Sequence, residues 1–306
     1  MIGFTQRYTI DTLPVAREGR AVALGFFDGI HIGHLDVIRS MSRFAAKNGL
    51  KSCVQTFINM PRNSGGELTT IEERLKILTE LKIDELLVLD YNDIRDTDPG
   101  IFCAEYINMR MGAHAVFAGD DYRFGANAAG DTDLLERSLE AMNIDTFICE
   151  IEEDGGRKIS STWLKELLSE GRPDRYAELT SGRYFTYTGR VIKGKQMGSK
   201  MGFPTANLAI PEGKFRVRRG VYISHVTIGK DTYAGVTNIG LRPTLEDATQ
   251  DICETHILDF DEDIYGAVIT VELVKFLRNE THFSSPEELI EAVNNNKQDA
   301  RQYFGM

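Results

Sequence analysis

Positive charge is scarce in this chain. Its 306 residues hold 35 Lys and Arg against 46 Asp and Glu, a formal net charge of −11. A broad nucleic-acid surface needs a basic patch, and none stands out, so no nucleic-acid partner is expected. The deficit does not exclude nucleotides, because a small phosphate site needs only local backbone N–H groups and a few cations. Cysteine is sparse too. Cys53, Cys103, Cys149 and Cys253 lie far apart with no Cys-x-x-Cys pair. That spacing argues against a disulfide framework or a structural zinc site, and for buried free thiols. No stretch approaches the roughly 20 apolar residues that span a bilayer. The segment from Met1 to Arg17 lacks the basic flank and apolar run of a secretory signal. No membrane partner and a cytoplasmic location are therefore expected. Internal repeats and low-complexity tracts are missing as well.

What is present is ordinary for a soluble globular protein, with 42% hydrophobic and 26% charged residues. The length favours two domains over one core. In the first half, short apolar runs alternate with helical patterns. Arg20 to Gly25 reads as a buried strand entering a Gly-rich turn. A helix follows with apolar Val37, Met41, Phe44 and Ala45, and Asn48-Gly49 stops it. Ser52 to Phe57 is a second strand, and Thr70 with Glu73 makes a capping box for a helix bearing Leu75, Leu78 and Leu81. Strand-like runs recur at Glu85 to Leu89, His114 to Ala118 and Asp145 to Glu150. This alternation implies βαβ units and a parallel sheet. From Phe185 onward, period-2 strands take over at Thr186 to Ile192, Val221 to Ile228, Thr232 to Asn238, Cys253 to Leu258 and Val268 to Phe276. They suggest an antiparallel barrel or sandwich. A helical pattern from about Pro286 through Tyr303 closes the chain. The boundary is expected near Arg183, after a linker helix around Asp174 to Leu179.

The segment from Gly25 to His34 carries the first chemistry. A strand ends at Gly25, Gly29 lets the backbone turn tightly, and a helix is expected to start near Gly33. Free N–H groups and the helix dipole favour an anion there. His31 and His34, three residues apart, can aim both rings at one point, which suits charge developing on a phosphate under attack. A zinc pair is the weaker reading, since no third ligand has a recognisable spacing.

Gly189 to Gln196 nearly satisfies the P-loop pattern but fails at its last position. Gln196 cannot replace the hydroxyl that holds Mg²⁺, and strands rather than a helix surround it. Gly202-Phe203-Pro204-Thr205-Ala206-Asn207 is the better candidate. Pro204 keeps its neighbours extended, and Thr205 and Asn207 then point the same way as i and i+2 on a strand. Two neutral oxygens with ATP phosphates and waters make a reasonable Mg²⁺ site. The preceding Gly194, Gly198 and Lys200 form a flexible basic loop able to fold over phosphates.

These segments resemble a known family. Gly25 to His34 resembles the His-x-Gly-His motif of the nucleotidyltransferase superfamily in its FAD synthetase form. The resemblance implies that His31 and His34 stabilise the α-phosphate transition state, with Gly25, Phe27, Asp28, Gly29 and Gly33 shaping the nucleotide turn. Gly119 to Gly125 resembles the family's Gly-x-Asp-Phe-Arg-Phe-Gly loop, which implies that Asp121 and Phe124 line the flavin and nucleotide pocket. Ile159-Ser160-Ser161-Thr162 resembles the Ile-Ser-Ser-Thr-x-x-Arg element, so that Ser161, Thr162 and Lys165 would hold the other phosphates. Three places depart from the pattern: Phe26 where the family usually has Asn, Asn59-Met60-Pro61 where it often has Pro-His-Pro, and Lys165 for its helix arginine. Lysine keeps the charge but loses the bidentate fork.

In the second half, Gly198 to Asn207 is similar to the riboflavin kinase signature. Further landmarks follow in order at Gly220-Val221-Tyr222, Asn238 to Thr244, Glu254-Thr255-His256, Asp263 to Gly266 and Phe276-Leu277-Arg278. The similarity implies Thr205 and Asn207 as Mg²⁺ ligands and Glu254 as catalytic base. It also places Gly194, Gly198, Lys200, Pro204 and Arg242 around the substrates. Together the segments resemble the bacterial two-domain flavokinase and FAD synthetase family. The implied fold is a Rossmann-like α/β nucleotidyltransferase domain over 1–183, joined to a mostly antiparallel β-barrel kinase domain with a C-terminal helix over 184–306. The implied activities convert riboflavin and ATP to FMN, then FMN and ATP to FAD and pyrophosphate, with Mg²⁺ in both. Two alternatives stay open. One is a riboflavin kinase whose N-terminal domain has lost or weakened adenylylation, motivated by Phe26, Met60 and Lys165. The other is a flavin-binding protein without turnover, against which the intact His31, His34, Thr205, Asn207 and Glu254 count. The sequence leaves open a homo-oligomer, flavin redox preference and metal preference.

Overall fold

The computed structural model describes residues 5–60, 65–150, 152–194, 202–243 and 249–306. The chain divides into two compact units, Met1–Ser64 with Thr69–Ser161, and Gly65–Leu68 with Thr162–Met306.

The first unit is built on a six-stranded parallel sheet of β1 (Gln6–Thr9), β2 (Arg20–Leu24), β3 (Lys51–Ile58), β4 (Glu85–Asp90), β5 (Ala113–Gly119) and β6 (Asp145–Cys149), in the order β1-β4-β3-β2-β5-β6. Apolar residues on both faces of β2 explain its central place. Ala21 and Ala23 pack under α1 (Ile32–Asn48) against Leu35, Ile38 and Met41. Val22 and Leu24 face the opposite side, against Phe102, Ile107 and Leu135. Helices cover both faces, as a parallel sheet requires. The chain runs outward from β2 through β3 to β4, then returns to place β5 on the other side of β2. Strand order reverses there, and the crevice beyond the carboxyl ends of β2 and β5 is where open α/β sheets take their ligands.

Local signals held. Gly49 ends α1 in the left-handed region at φ 67°, its N–H bonded to the Ala45 carbonyl. The capping box opens α2 (Ile71–Glu80) with both reciprocal bonds, Glu73 N–H to Thr70 Oγ1 at 3.2 Å and Thr70 N–H to Glu73 Oε2 at 2.8 Å. Between β4 and β5 lie the short helices α3 (Tyr91–Ile94) and α4 (Pro99–Ile101), the latter continued by a π-helix at Phe102–Arg110. Then α5 (Thr132–Glu140) leads to β6, followed by a small hairpin of β7 (Glu153–Asp154) and β8 (Arg157–Lys158).

Helices α6 (Ser161–Glu170) and α7 (Pro173–Leu179) precede six antiparallel strands: β9 (Phe185–Arg190), β10 (Ala206–Ala209), β11 (Gly220–Ile228), β12 (Asp231–Pro243), β13 (Thr249–Ile257) and β14 (Val268–Arg278). Their order is β10-β13-β12-β11-β14-β9. The two ends meet where Ile192 N–H donates to the Asn207 carbonyl at 2.9 Å, so the sheet closes as a barrel rather than stacking as a sandwich. Tyr187, Tyr222, Val226 and Leu273 are buried within it. Ser224, Thr237 and Thr255 form a fully buried hydroxyl row across three strands, at 2.7 and 2.8 Å. The closing helix α8 (Pro286–Phe304) lays Ala300 over Val221, Ile223, Val236 and Val274.

Candidate active sites

At the switch point, three of four consecutive residues have positive φ and shape the turn after β2: Phe27 at φ 51°, Gly29 at φ 82° and Ile30 at φ 39°. Two of the three are non-glycine residues in the left-handed region, a strain that must be held from outside. The holding group is a buried ion pair. Asp28 and Arg74 are each 1% exposed, with Arg74 Nη2 3.4 Å from Asp28 Oδ1. Thr69 N–H donates to the same carboxylate oxygen at 3.0 Å, and Gly29 N–H donates to Thr69 Oγ1 at 3.0 Å. Arg74 also donates to Thr56 Oγ1 at 3.0 Å, while the Thr56 hydroxyl donates to the Phe26 carbonyl at 2.6 Å. From the other side, the Ser161 hydroxyl donates to the Asp28 carbonyl at 2.8 Å. Asp28 therefore acts on the loop rather than toward open solvent.

The clamp presents the two histidines. His31 is the N-cap of α1, its Nδ1 accepting from His34 N–H at 3.3 Å. That bond fixes the tautomer: with Nδ1 an acceptor, the neutral ring carries its proton on Nε2. The two rings stack with centroids 3.6 Å apart and planes 18° apart, and Phe27 meets His34 edge-on at 5.1 Å. His31 is lowered to about 4, chiefly by burial and also by Lys158, with Asp121 and Asp28 opposing. Burial also drives His34 well below the ordinary value, helped by His31 and Arg74. Both rings are neutral near pH 7. His34 Nδ1 is buried with no hydrogen-bond partner among the described residues.

Gly25 lies against the Phe27 ring, where a Cβ would come within 3.0 Å, and a Cβ on Gly33 would meet His31 Nδ1 at 3.4 Å. Asp121 follows β5 and is ion-paired with Lys158 on β8. Phe124 is buried, stacked on Tyr122 at 5.7 Å and packed near Phe102. Thr162 is exposed at the start of α6. Lys165 Nζ lies 5.9 Å from the Phe215 ring centroid, within the second unit. The departing residue Phe26 stacks its ring under the Arg74 guanidinium at 4.6 Å, and Met60 packs against the sheet core. Pro61 lies outside the described residues.

The barrel assembles a second site by register. Asn207 on β10 stands opposite Glu254 on β13, which stands opposite Asn238 on β12. Directly opposed residues share a face, with Cβ atoms about 4.5–5.5 Å apart. Asn207 is 3% exposed; its Nδ2 donates to the Thr205 carbonyl at 3.0 Å and lies 3.3 Å from Thr205 Oγ1. Its Oδ1 is buried with no protein partner among the described residues. A buried amide oxygen left unpaired costs about 1–3 kcal/mol unless something else satisfies it. Gly194 packs on this side chain so closely that a Cβ would sit 2.7 Å from Asn207 Nδ2. Pro204 and Thr205 line a cavity of about 230 Å³ together with Phe260, Asp263 and Tyr265. Arg242 lies on β12 opposite Gln250, its side chain beyond the described atoms. Gly198 and Lys200 lie outside the described residues.

Sequence reading missed the Thr56–Thr69–Arg74 clamp and Lys158. The signal for Arg74 was weak: it follows two glutamates on α2 and reads as surface charge, yet falls on the buried face with Ile71 and Leu78.

A doubly wound α/β unit with paired histidines at its switch point and, in the same chain, a barrel with grouped oxygen donors define a two-domain nucleotide-dependent transferase. Residues 13–163 match the FAD synthetase family and residues 181–304 the riboflavin kinase family. The chain is 31% identical over 293 residues to the bifunctional riboflavin kinase/FMN adenylyltransferase of Bacillus subtilis, covering 92% of each. It is 32% identical over 298 residues to the Escherichia coli K12 protein of the same description, covering 95% of this chain and 94% of that one. It belongs to the bifunctional riboflavin kinase/FMN adenylyltransferase family. A solved structure described as a macrolide-efflux protein from Streptococcus pneumoniae shares the whole architecture, with a TM-score of 0.87, 27% identity and coverage of 96% and 98%. That likeness supports the fold; among the described residues no helix is long and apolar enough to cross a membrane. With both catalytic domains matched, the kinase-only alternative is not favoured.

Proposed function

We propose that the barrel phosphorylates riboflavin and the α/β unit adenylylates the FMN so formed, with residues 1–183 and 184–306 as the two working modules. The observation that carries the first step is the buried Asn207 Oδ1, without a partner among the described residues, directly across one ladder from Glu254. Glu254 takes the proton of the primary ribityl hydroxyl as that oxygen attacks the γ-phosphorus and the bond to ADP breaks. General-base help of this kind contributes roughly 10²–10⁴-fold. The hard, neutral oxygens of Thr205 and Asn207 would hold Mg²⁺, which would supply positive charge to neutralise what develops on the transferring phosphoryl group.

In the second step an FMN phosphate oxygen attacks the ATP α-phosphorus and pyrophosphate leaves. His31, neutral with its proton on Nε2, donates toward the oxygens that gain charge, and His34 beside it extends the same surface. Neutral donors at a helix N-terminus need no reorganisation as the charge shifts. Asp28 and Arg74 hold the strained turn that aims them, and Ser161 ties it from α6. Asp121, Phe124, Thr162 and Lys165 are assigned to substrate contact on the family pattern. A cytoplasmic location accords with ATP and flavins as substrates. Supplying FMN, ATP and Mg²⁺ without riboflavin tests the second step alone: FAD and pyrophosphate are expected in equal amounts, and no pyrophosphate release contradicts the assignment.

A further inference from the structure

Pairing between β10 and β13 begins at Ala206, opposite Thr255. The ladder does not extend through Pro204, which has no N–H to donate. A side chain takes over at that point. His256 Nδ1 lies 2.9 Å from the Pro204 carbonyl oxygen. A carbonyl only accepts, so Nδ1 carries the proton and donates it. Burial lowers the His256 pKa against the raising effect of this bond, and the ring is neutral near pH 7. Its part is geometric.

The placement matters because of what lies on either side. His256 is two residues from Glu254 on β13, and the residue between them, Thr255, is fully buried in the barrel. Strand alternation puts Glu254 and His256 on the same face. The peptide that His256 grips leads straight into Thr205. We propose that His256 is a positioning residue for phosphoryl transfer: its imidazole replaces a missing ladder bond and ties the Pro204–Thr205 peptide to the strand that bears Glu254. This sets the Thr205 hydroxyl at a fixed reach from the carboxylate. The inference rests on Thr205 and Asn207 as the metal ligands. Partners that orient a metal ligand typically govern roughly 10–100-fold in metal affinity or activity.

The test is calorimetric titration of ADP into the full chain, once with Mg²⁺ and once with EDTA, for the wild type, His256→Leu, His256→Asn, Thr205→Ala and the Leu/Ala double variant. His256→Leu is expected to weaken ADP binding with Mg²⁺ by roughly 10-fold or more while leaving metal-free binding unchanged. His256→Asn, whose amide also donates, is expected to recover most of the loss. The double variant is expected to bind no worse than Thr205→Ala. Kinase kcat is expected to follow the same order, with FAD formation from FMN intact as a check on folding. An unchanged Mg²⁺-dependent affinity in His256→Leu overturns the proposal, as do losses that multiply in the double variant. If Thr205→Ala itself leaves the Mg²⁺ effect intact, the metal assignment falls first and takes this role with it.

Discussion

Asn207 and Glu254 are register partners across the β10–β13 ladder, so a buried amide oxygen and a half-buried carboxylate face the same side of the barrel. In the proposed kinase step, the pairing would put a proton acceptor and a neutral oxygen donor for Mg²⁺ at one place. Glu254→Gln keeps the shape and removes the acceptor. FMN formation should fall roughly 10²–10⁴-fold, while FAD formation from added FMN continues. FMN made at near wild-type rate would remove Glu254 as the base.

Gly194→Ala probes the other partner. The added methyl would lie within 2.7–2.8 Å of the Asn207 amide atoms, so Asn207 must move. Misplacing a catalytic group by about 1 Å costs on the order of 10²-fold, and kinase turnover should drop accordingly with an increased Mg²⁺ requirement. Turnover that tolerates alanine there would show that Asn207 does not need its present position.

The Asp28–Arg74 pair predicts a joint effect on folding and adenylylation. Removing one member of a buried pair strands the other, at about 3–5 kcal/mol. Arg74→Leu should lower the denaturant midpoint of unfolding and abolish FAD formation. Arg74→Lys should recover little, because one ammonium cannot reach Asp28, Thr56 and Thr69 together. Wild-type stability in Arg74→Leu would mean that the strained turn holds itself.

Neutral histidines predict a distinctive pH profile. His31 is lowered to about 4, and burial drives His34 well below its ordinary value. Neither charge state changes between pH 6 and 8, so kcat/KM for adenylylation should show no limb near 6.5 from these groups. A rate that climbs as pH falls through 6.5 would indicate that a protonated imidazole does the work. The same depression has a stability consequence. The unfolded chain takes up protons near 6.5 that the folded rings refuse, so stability is lost as pH falls from about 6.5 toward 4. His31→Asn should flatten part of that loss in unfolding measurements.

Much of this was legible in the sequence because it depends on local chemistry. The strand at Arg20, the Gly49 stop and the Thr70–Glu73 box are short-range patterns, and each forms as read. The order of the parallel sheet, with β1 beside β4, is set by long-range pairing that no local window contains. Barrel closure through Ile192 and Asn207 is of the same kind. The ion pair of Asp28 with Arg74 joins residues 46 positions apart in the chain, and a charged residue gives no sign in sequence of being buried. The π-helix at Phe102–Arg110 had no signal, since its residues suit an α-helix equally well.

One time course tests most directly whether both activities reside on this chain. Riboflavin, ATP and Mg²⁺ are incubated with the folded protein, and the flavins are separated by chromatography while pyrophosphate is assayed. FMN is expected to appear first and FAD to follow, with one pyrophosphate released for each FAD. Riboflavin left unmodified by folded, magnesium-supplied protein would contradict that expectation.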